Sequence, residues 1–418
     1  MKKRVLAVAL ICVFLALAML FARENYGLEQ TSNQNQVGAY YYAWWGMPEN
    51  NHWNNDIKGT PFLGYYNSND SRVADQQILL AKQHGINFFA VSWIGTGTWH
   101  HGDFSTIDQN LRNGLLEAPH LSDFKFCLFY ETVLVKDNAA NENQSFSDIF
   151  LNDINYAAQQ YFSNPSYLKV DRSPILFIYN VPYLYVNSTE QEVHTLLDSA
   201  RQEAATFGFN LYIIGDMNGG PLPPNVNSSL LYSLNATTSY HFDDRASNND
   251  QVLNNATMYY PEWLSEMNSK GIGFVPDVFP GFNNTNNTGA TEPWTVLPPN
   301  DTSLEQMTQI ALNYSSTTPG FVMVTSWNEW MEGTQVEPSI ERGDIFLNAI
   351  NDAIINHDAN FTPTQTIQPI PRPDHFNWLL IASFILGAIV ATVIVTAYFL
   401  KTRKRFLERQ QGGSTNAR

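Results

Sequence analysis

The stretch Phe321-Val322-Met323-Val324-Thr325-Ser326-Trp327-Asn328-Glu329-Trp330-Met331-Glu332 opens on four apolar residues and ends in hydroxyls, indoles, an amide and two carboxylates. A short, unbroken apolar run suits a strand buried on both faces. A polar and aromatic set just past its end suits the rim of a parallel α/β architecture, where ligands bind beyond the carboxyl ends of the strands.

Comparable runs precede it at 37–45, 87–94, 125–131, 174–180, 211–216, 237–241 and 273–278. Helical patterns separate them. Thr189 and Glu192 have the spacing of a capping box, Val193, Leu196, Leu197 and Ala200 follow as one apolar stripe, and Gly208 stops it. Ala74, Ile78 and Ala81 form a second stripe ended by Gly85, and Phe346, Ala349, Ile350, Ala353 and Ile354 form a last one. Eight such runs alternating with helices predict an α/β chain with a (β/α)8 TIM barrel over residues 37–356. The first run lacks the glycine-rich loop of a dinucleotide-binding open sheet.

The predicted strand ends carry Tyr42, Trp44, Trp93, Glu131, Tyr179, Asn180, Asp216, Tyr240, His241, Asn328, Glu329, Trp330 and Glu332. Aromatic faces stack on sugars, and paired carboxylates are the minimum equipment for glycoside hydrolysis, one protonating the leaving oxygen and one acting as base or nucleophile. A helical turn past the last strand would set Glu329 and Glu332 on one face. His100, His101 and Asp103 do not match a closed zinc pattern, so no metal is expected, and no cofactor. The formal net charge of −16 leaves no basic stripe for nucleic acid. The two cysteines, Cys12 and Cys127, sit in an apolar N-terminal run and a predicted strand, which excludes a disulfide framework.

Both ends read as targeting segments. Lys2, Lys3 and Arg4 precede an apolar run, and Ala16-Leu17-Ala18 has small residues spaced for cleavage, so 1–22 reads as a signal peptide or signal anchor. Residues 23–36 form a polar tether and 357–375 a Pro-rich stalk. The segment 376–400 is apolar and uncharged, and at about 1.5 Å of rise per residue it reaches far enough to span a bilayer. The basic tail 401–418 then places the C-terminus in the cytoplasm. These features predict a single-pass membrane protein whose catalytic domain is extracellular or lumenal. Asn-x-Ser/Thr sequons recur from Asn69 to Asn360, in keeping with that side.

The stretch from Thr325 to Pro338, TSWNEWMEGTQVEP, resembles the signature of glycoside hydrolase family 99, the endo-α-mannosidases, and its close relatives. Tyr40-Tyr41-Tyr42-Ala43-Trp44-Trp45, His52-Trp53-Asn54, Pro61-Phe62-Leu63-Gly64-Tyr65, Val91-Ser92-Trp93 and Pro280-Gly281-Phe282 extend the resemblance over about residues 37–355. It implies a retaining, endo-acting hydrolase of α-mannoside-containing glycans, with an oligosaccharide or polysaccharide as partner. It further implies that Glu329 deprotonates the sugar 2-hydroxyl to form a 1,2-anhydro sugar, with Glu332 as acid and then base. Trp53, Trp93, Glu131, Tyr42, Tyr179 and Tyr240 would line the sugar subsites. Met331, Asn54-Asn55 and Asn180-Val181-Pro182 depart from the family pattern. Two other readings stay open: Glu131 and Glu329 as acid and nucleophile on a different polysaccharide, and a non-catalytic glycan-binding or envelope surface protein on the same barrel.

Overall fold

A computed structural model describes residues 36–46, 51–96, 106–218, 228–242, 246–285 and 295–360. Two compact units divide the chain, Met1–Asn360 and Phe361–Arg418, and every described residue lies in the first.

The sheet is built from β1 (Gln36–Tyr41), β2 (Ile86–Trp93), β3 (Lys125–Tyr130), β5 (Ser173–Ile178), β6 (Tyr212–Asp216), β7 (Ala236–Thr238), β8 (Gly273–Phe274), β9 (Asp277–Val278) and β10 (Phe321–Val324). All its pairings are parallel, in the order β8-β7-β6-β5-β3-β2-β1-β10-β9. The short β4 (Lys169–Val170), which the sequence pattern did not reveal, pairs antiparallel with β5. The strands are mostly apolar because both faces are covered; Val37, Ala39, Phe88, Phe89, Leu176, Phe177, Ile213 and Val322 are all fully buried. Gly38 is set by packing, since a Cβ there would lie 2.2 Å from the Phe88 ring.

The expected unbroken (β/α)8 cylinder is corrected by this order. The sheet is curled and open, TIM-barrel-like, with no ladder between its end strands β8 and β9. The reason is local. The run 273–278 is interrupted at Val275-Pro276, and Pro276 has no N–H to donate. Up to Val275, whose N–H reaches the Thr237 carbonyl at 2.8 Å, the segment pairs with β7. From the Pro276 carbonyl, which accepts from Met323 N–H at 2.9 Å, it pairs with β10.

The helices follow their sequence signals. Helix α1 (Ser71–Gln83) buries Ala74, Ile78 and Ala81 and stops before Gly85, whose φ is +81°. After β2 come α2 (Ile107–Asn110) and a π-turn at Leu111–Leu115, and after β3 come α3 (Thr132–Asn141) and α4 (Phe146–Gln160). Helix α5 (Val181–Leu184) and helix α6 (Glu190–Thr206) follow β5. Thr189 caps α6 by accepting from Glu192 N–H, and the Glu192 carboxylate returns to the Thr189 N–H at 2.7 Å. Helices α7 (Asn249–Ser269), α8 (Asp301–Tyr314) and α9 (Ile345–Asn360) complete the outer layer.

The expected membrane topology is also corrected. No helix among the described residues is long and apolar enough to cross a membrane. The segments 1–22, 376–400 and 401–418, on which anchoring, single-pass topology and an extracellular or lumenal location depended, lie outside the described residues, as does most of the tether and the stalk.

Candidate active site

The loops past the carboxyl ends of the strands converge on three glutamates. Glu131 follows β3, and Glu329 and Glu332 follow β10. The chain from 330 to 333 is a turn, not the expected helical one. Glu329 holds that turn: its N–H donates to Ser326 Oγ at 2.8 Å, and its Oε1 accepts from Met331 N–H at 2.9 Å. Gly333 closes it at φ +66°.

Burial pushes the Glu329 carboxyl well above the usual range, and the charges of Glu332 and Glu131 push it further. Burial likewise raises Glu131 to about 7, against a 2.6 Å hydrogen bond from Ser92 Oγ that favours its carboxylate. The charges of all three glutamates act on the Tyr42 hydroxyl. That hydroxyl lies 2.5 Å from the Tyr240 hydroxyl, and Tyr179 packs its ring 5.6 Å from Tyr240. Trp44 tilts over Tyr42 at 4.5 Å and stacks on His52 at 5.3 Å. His241, next to Tyr240, brings Nε2 to 3.2 Å from Glu332 Oε2.

Other sequence-predicted residues hold the site rather than face it. Asp216 is fully buried; Oδ1 accepts from the N–H groups of Tyr240 (2.8 Å) and Asn218 (3.0 Å), and Oδ2 from Asn180 N–H (2.9 Å). Asn180, left-handed at φ 48°, uses its side chain to cap α5 at Tyr183 N–H. Asn328 accepts from Tyr42 N–H at 2.7 Å and donates to the Tyr42 carbonyl at 3.0 Å, pinning the β1 end to the acidic turn. Trp93 donates to Asp108 at 2.9 Å, Trp53 to the Tyr66 carbonyl at 2.7 Å, and Trp330 to Glu337 at 3.0 Å.

Several supporting residues escaped the sequence reading. Glu337 is buried and accepts from Tyr66 Oη (2.7 Å), Gln77 Nε2 (2.6 Å) and Trp330, which offsets part of the burial that raises it to about 7. Its place in the quoted signature was the available signal. Asp277 accepts from Thr325 Oγ1 at 2.7 Å, and the backbone N–H groups of His241 and Phe242 favour its charged form. His100, His101 and Asp103 lie outside the described residues, among which no group of His, Cys, Asp and Glu side chains is arranged to hold a metal. Cys127 is a buried thiol whose pKa burial raises.

The match that decides the family spans most of this region. A family model described as "Glycosyltransferase WbsX" matches residues 50–350. The chain belongs to the WbsX family. This WbsX-family chain is also homologous to the endo-α-1,2-mannosidases of glycoside hydrolase family 99. It is 22% identical over 346 residues to the human "Glycoprotein endo-alpha-1,2-mannosidase-like protein", covering 73% of this chain and 68% of that protein. It is 21% identical to the mouse "Glycoprotein endo-alpha-1,2-mannosidase", covering 73% and 68%. Among solved structures, it resembles a GH99 endo-α-mannosidase from Bacteroides thetaiotaomicron with a TM-score of 0.56 at 17% identity, over 78% of this chain and 98% of that one. A "Glycoside hydrolase-like protein" gives a TM-score of 0.60 at 19% identity, over 77% and 94%. At these identities the structural likeness speaks for the fold.

Proposed function

We propose that this WbsX-family chain is an endo-acting glycoside hydrolase that cleaves α-mannoside-containing glycans with retention. Homology to the endo-α-mannosidases supports a hydrolase-like enzyme. The observation that carries the reading is that Glu131, Glu329 and Glu332, past the carboxyl ends of the strands, all lie near enough to Tyr42 for their charges to act on its hydroxyl.

Glu329 takes the proton of the sugar 2-hydroxyl. Confinement suits it, because a carboxylate whose pKa is raised is a stronger base than one in water. The resulting oxyanion attacks the anomeric carbon as the bond to the leaving oxygen breaks, and Glu332 protonates that oxygen. A 1,2-anhydro sugar forms. Glu332 then takes a proton from water, the hydroxide opens the ring at the anomeric carbon, and O2 regains its proton from Glu329. Two displacements at one carbon retain configuration. A second reading, with Glu131 as acid and Glu329 as direct nucleophile, draws on the rise of Glu131 to about 7.

The test is product analysis by NMR after incubating the full chain with α-mannosyl oligosaccharides. A new reducing end of retained configuration, reduced at least roughly 100-fold in Glu332→Gln, is expected. Lengthened oligosaccharides without new reducing ends would replace hydrolysis by the glycosyl transfer that the family description names. A sugar trapped covalently on Glu329 would favour the second reading. Equal turnover by Glu332→Gln would remove Glu332 from the chemistry.

A further inference from the structure

We propose that His241 is a positioning residue that acts through Glu332: its Nε2 holds the Glu332 carboxyl against the leaving oxygen, and its ring does not touch the sugar. This deepens, and rests on, the hydrolase reading above.

The placement comes first. His241 Nε2 lies 3.2 Å from Glu332 Oε2, and the side chains are 6% and 27% exposed, respectively. The Glu332 side chain is therefore the more exposed of the two, while its Oε2, which faces the imidazole, is buried. Nε2 makes no hydrogen bond among the described residues, and Glu332 Oε2 is its nearest charged neighbour. The approach is off the line of an ordinary hydrogen bond, and because the imidazole torsion has a broad minimum, a small rotation aligns it.

The ring is also built into place. His241 adopts φ 53°, a left-handed conformation that costs a residue with a Cβ on the order of 1 kcal/mol. Asp277 faces the N–H groups of His241 and Phe242 and is itself fixed by Thr325 Oγ1 at 2.7 Å. The imidazole is enclosed by the rings of Tyr240 at 4.2 Å and Phe282 at 4.7 Å. From the other side, Asn283 N–H donates to the Glu332 carbonyl at 2.6 Å. Both members of the pair are thus held by backbone contacts from β9 and the loop after it.

The chemistry needs a partner that serves Glu332 in two protonation states. Burial pushes the His241 imidazole down to about 3, so the ring is neutral across the working pH range. A neutral imidazole accepts from a carboxylic acid or donates to a carboxylate, whereas an imidazolium only donates. The other titratable groups around the pair are Glu329 on the same turn, Tyr42 after β1, Glu131 after β3, Tyr240 beside the histidine, and Asp277 in β9.

The experiment has two arms on the full chain. In the first, protein carrying 15N-labelled histidine is titrated by NMR, with the His241 signals identified by their loss in His241→Gln. Glu332→Gln is expected to move the Nε2 resonance of His241, and an unmoved resonance overturns the proposal. This arm needs no turnover, so it reads independently of whether the glycan assignment is right. In the second, His241→Phe is expected to lower kcat roughly 10- to 100-fold on a glycan, with KM within about twofold. The loss should shrink to under about threefold on the matching glycosyl fluoride, whose departure needs little protonation, and His241→Gln should recover part of the rate. A raised KM with unchanged kcat in both variants would make His241 a sugar ligand and overturn the proposal. Equal losses on glycan and fluoride would reduce it to a structural residue.

Discussion

The phenol oxygens of Tyr42 and Tyr240 lie 2.5 Å apart and join the loops after β1 and β7. Between these strands the sheet order interposes β2, β3, β5 and β6, so the bond crosses the mouth of the curled sheet. Burial raises both phenols well above their usual range, which keeps both neutral, so one donates and the other accepts. The Tyr42 backbone is tied to Asn328 in both directions, so its hydroxyl has little freedom to move. Tyr240→Phe should therefore lower kcat/KM by about tenfold and stability by about 1 kcal/mol, with Tyr42→Phe costing more activity than Tyr240→Phe. Kinetics on a glycan and thermal unfolding read the two effects. An unchanged kcat/KM in both variants would show that the bond serves packing alone.

Asp216 carries a separate prediction because its oxygens serve three loops at once. It takes N–H bonds from Asn180, Asn218 and Tyr240, and thereby fixes the residue after Tyr179 and the residue before His241. In Asp216→Asn the Oδ1 position can keep two donors, but an amide NH2 would confront the Asn180 N–H. A buried donor left without an acceptor costs about 1–3 kcal/mol. The variant is expected to unfold earlier by that margin and to lose activity through kcat. Thermal unfolding with kinetics at one temperature measures both, and a variant as stable as the parent would contradict the bonding described here.

The strands were legible because a strand covered on both faces reads as a nearly continuous apolar run, as in the runs that became β2, β3, β5 and β10. The division of 273–278 at Pro276 was not, since it depends on which neighbour each half meets. Nor does a sequence tell which way a side chain turns at the end of a strand. Trp93, Asn328, Trp330 and Asp216 are polar or aromatic residues at or just past strand ends, as Tyr42, Glu131 and Tyr240 are, yet their polar atoms bind the scaffold. Glu337 shows the same limit from the other side, because its partners Tyr66 and Gln77 lie 271 and 260 residues away in the chain. The acidic pair was legible by type and spacing, whereas the turn that positions it is made by the Glu329 side chain itself.

The buried carboxyls fix how stability should change with pH. Burial raises Glu131, Glu337 and Asp153 to about 7 and Asp216 to about 6. Each folded value lies above the value of the unfolded chain, near 4. The folded protein therefore holds protons that the unfolded chain has released. The stabilisation from these groups is complete below about pH 4 and is lost as pH rises through 6 to 7. His241 acts in the opposite sense: with a folded value of about 3, its contribution is complete above about 6.5 and declines as pH falls below that. Four carboxyls outweigh one imidazole between pH 8 and pH 5.5. Across such a gap each pH unit is worth about 1.4 kcal/mol per group, and 1 kcal/mol shifts the Tm of a large domain by about 2–4 °C. The Tm should rise by about 10 °C or more from pH 8 to pH 5.5. Glu131→Gln should flatten that slope, because the amide no longer titrates and Ser92 still finds an acceptor. Unfolding scans at constant ionic strength test this directly, and a Tm that is flat or climbs toward pH 8 would mean that these carboxyls are ionised in the folded protein.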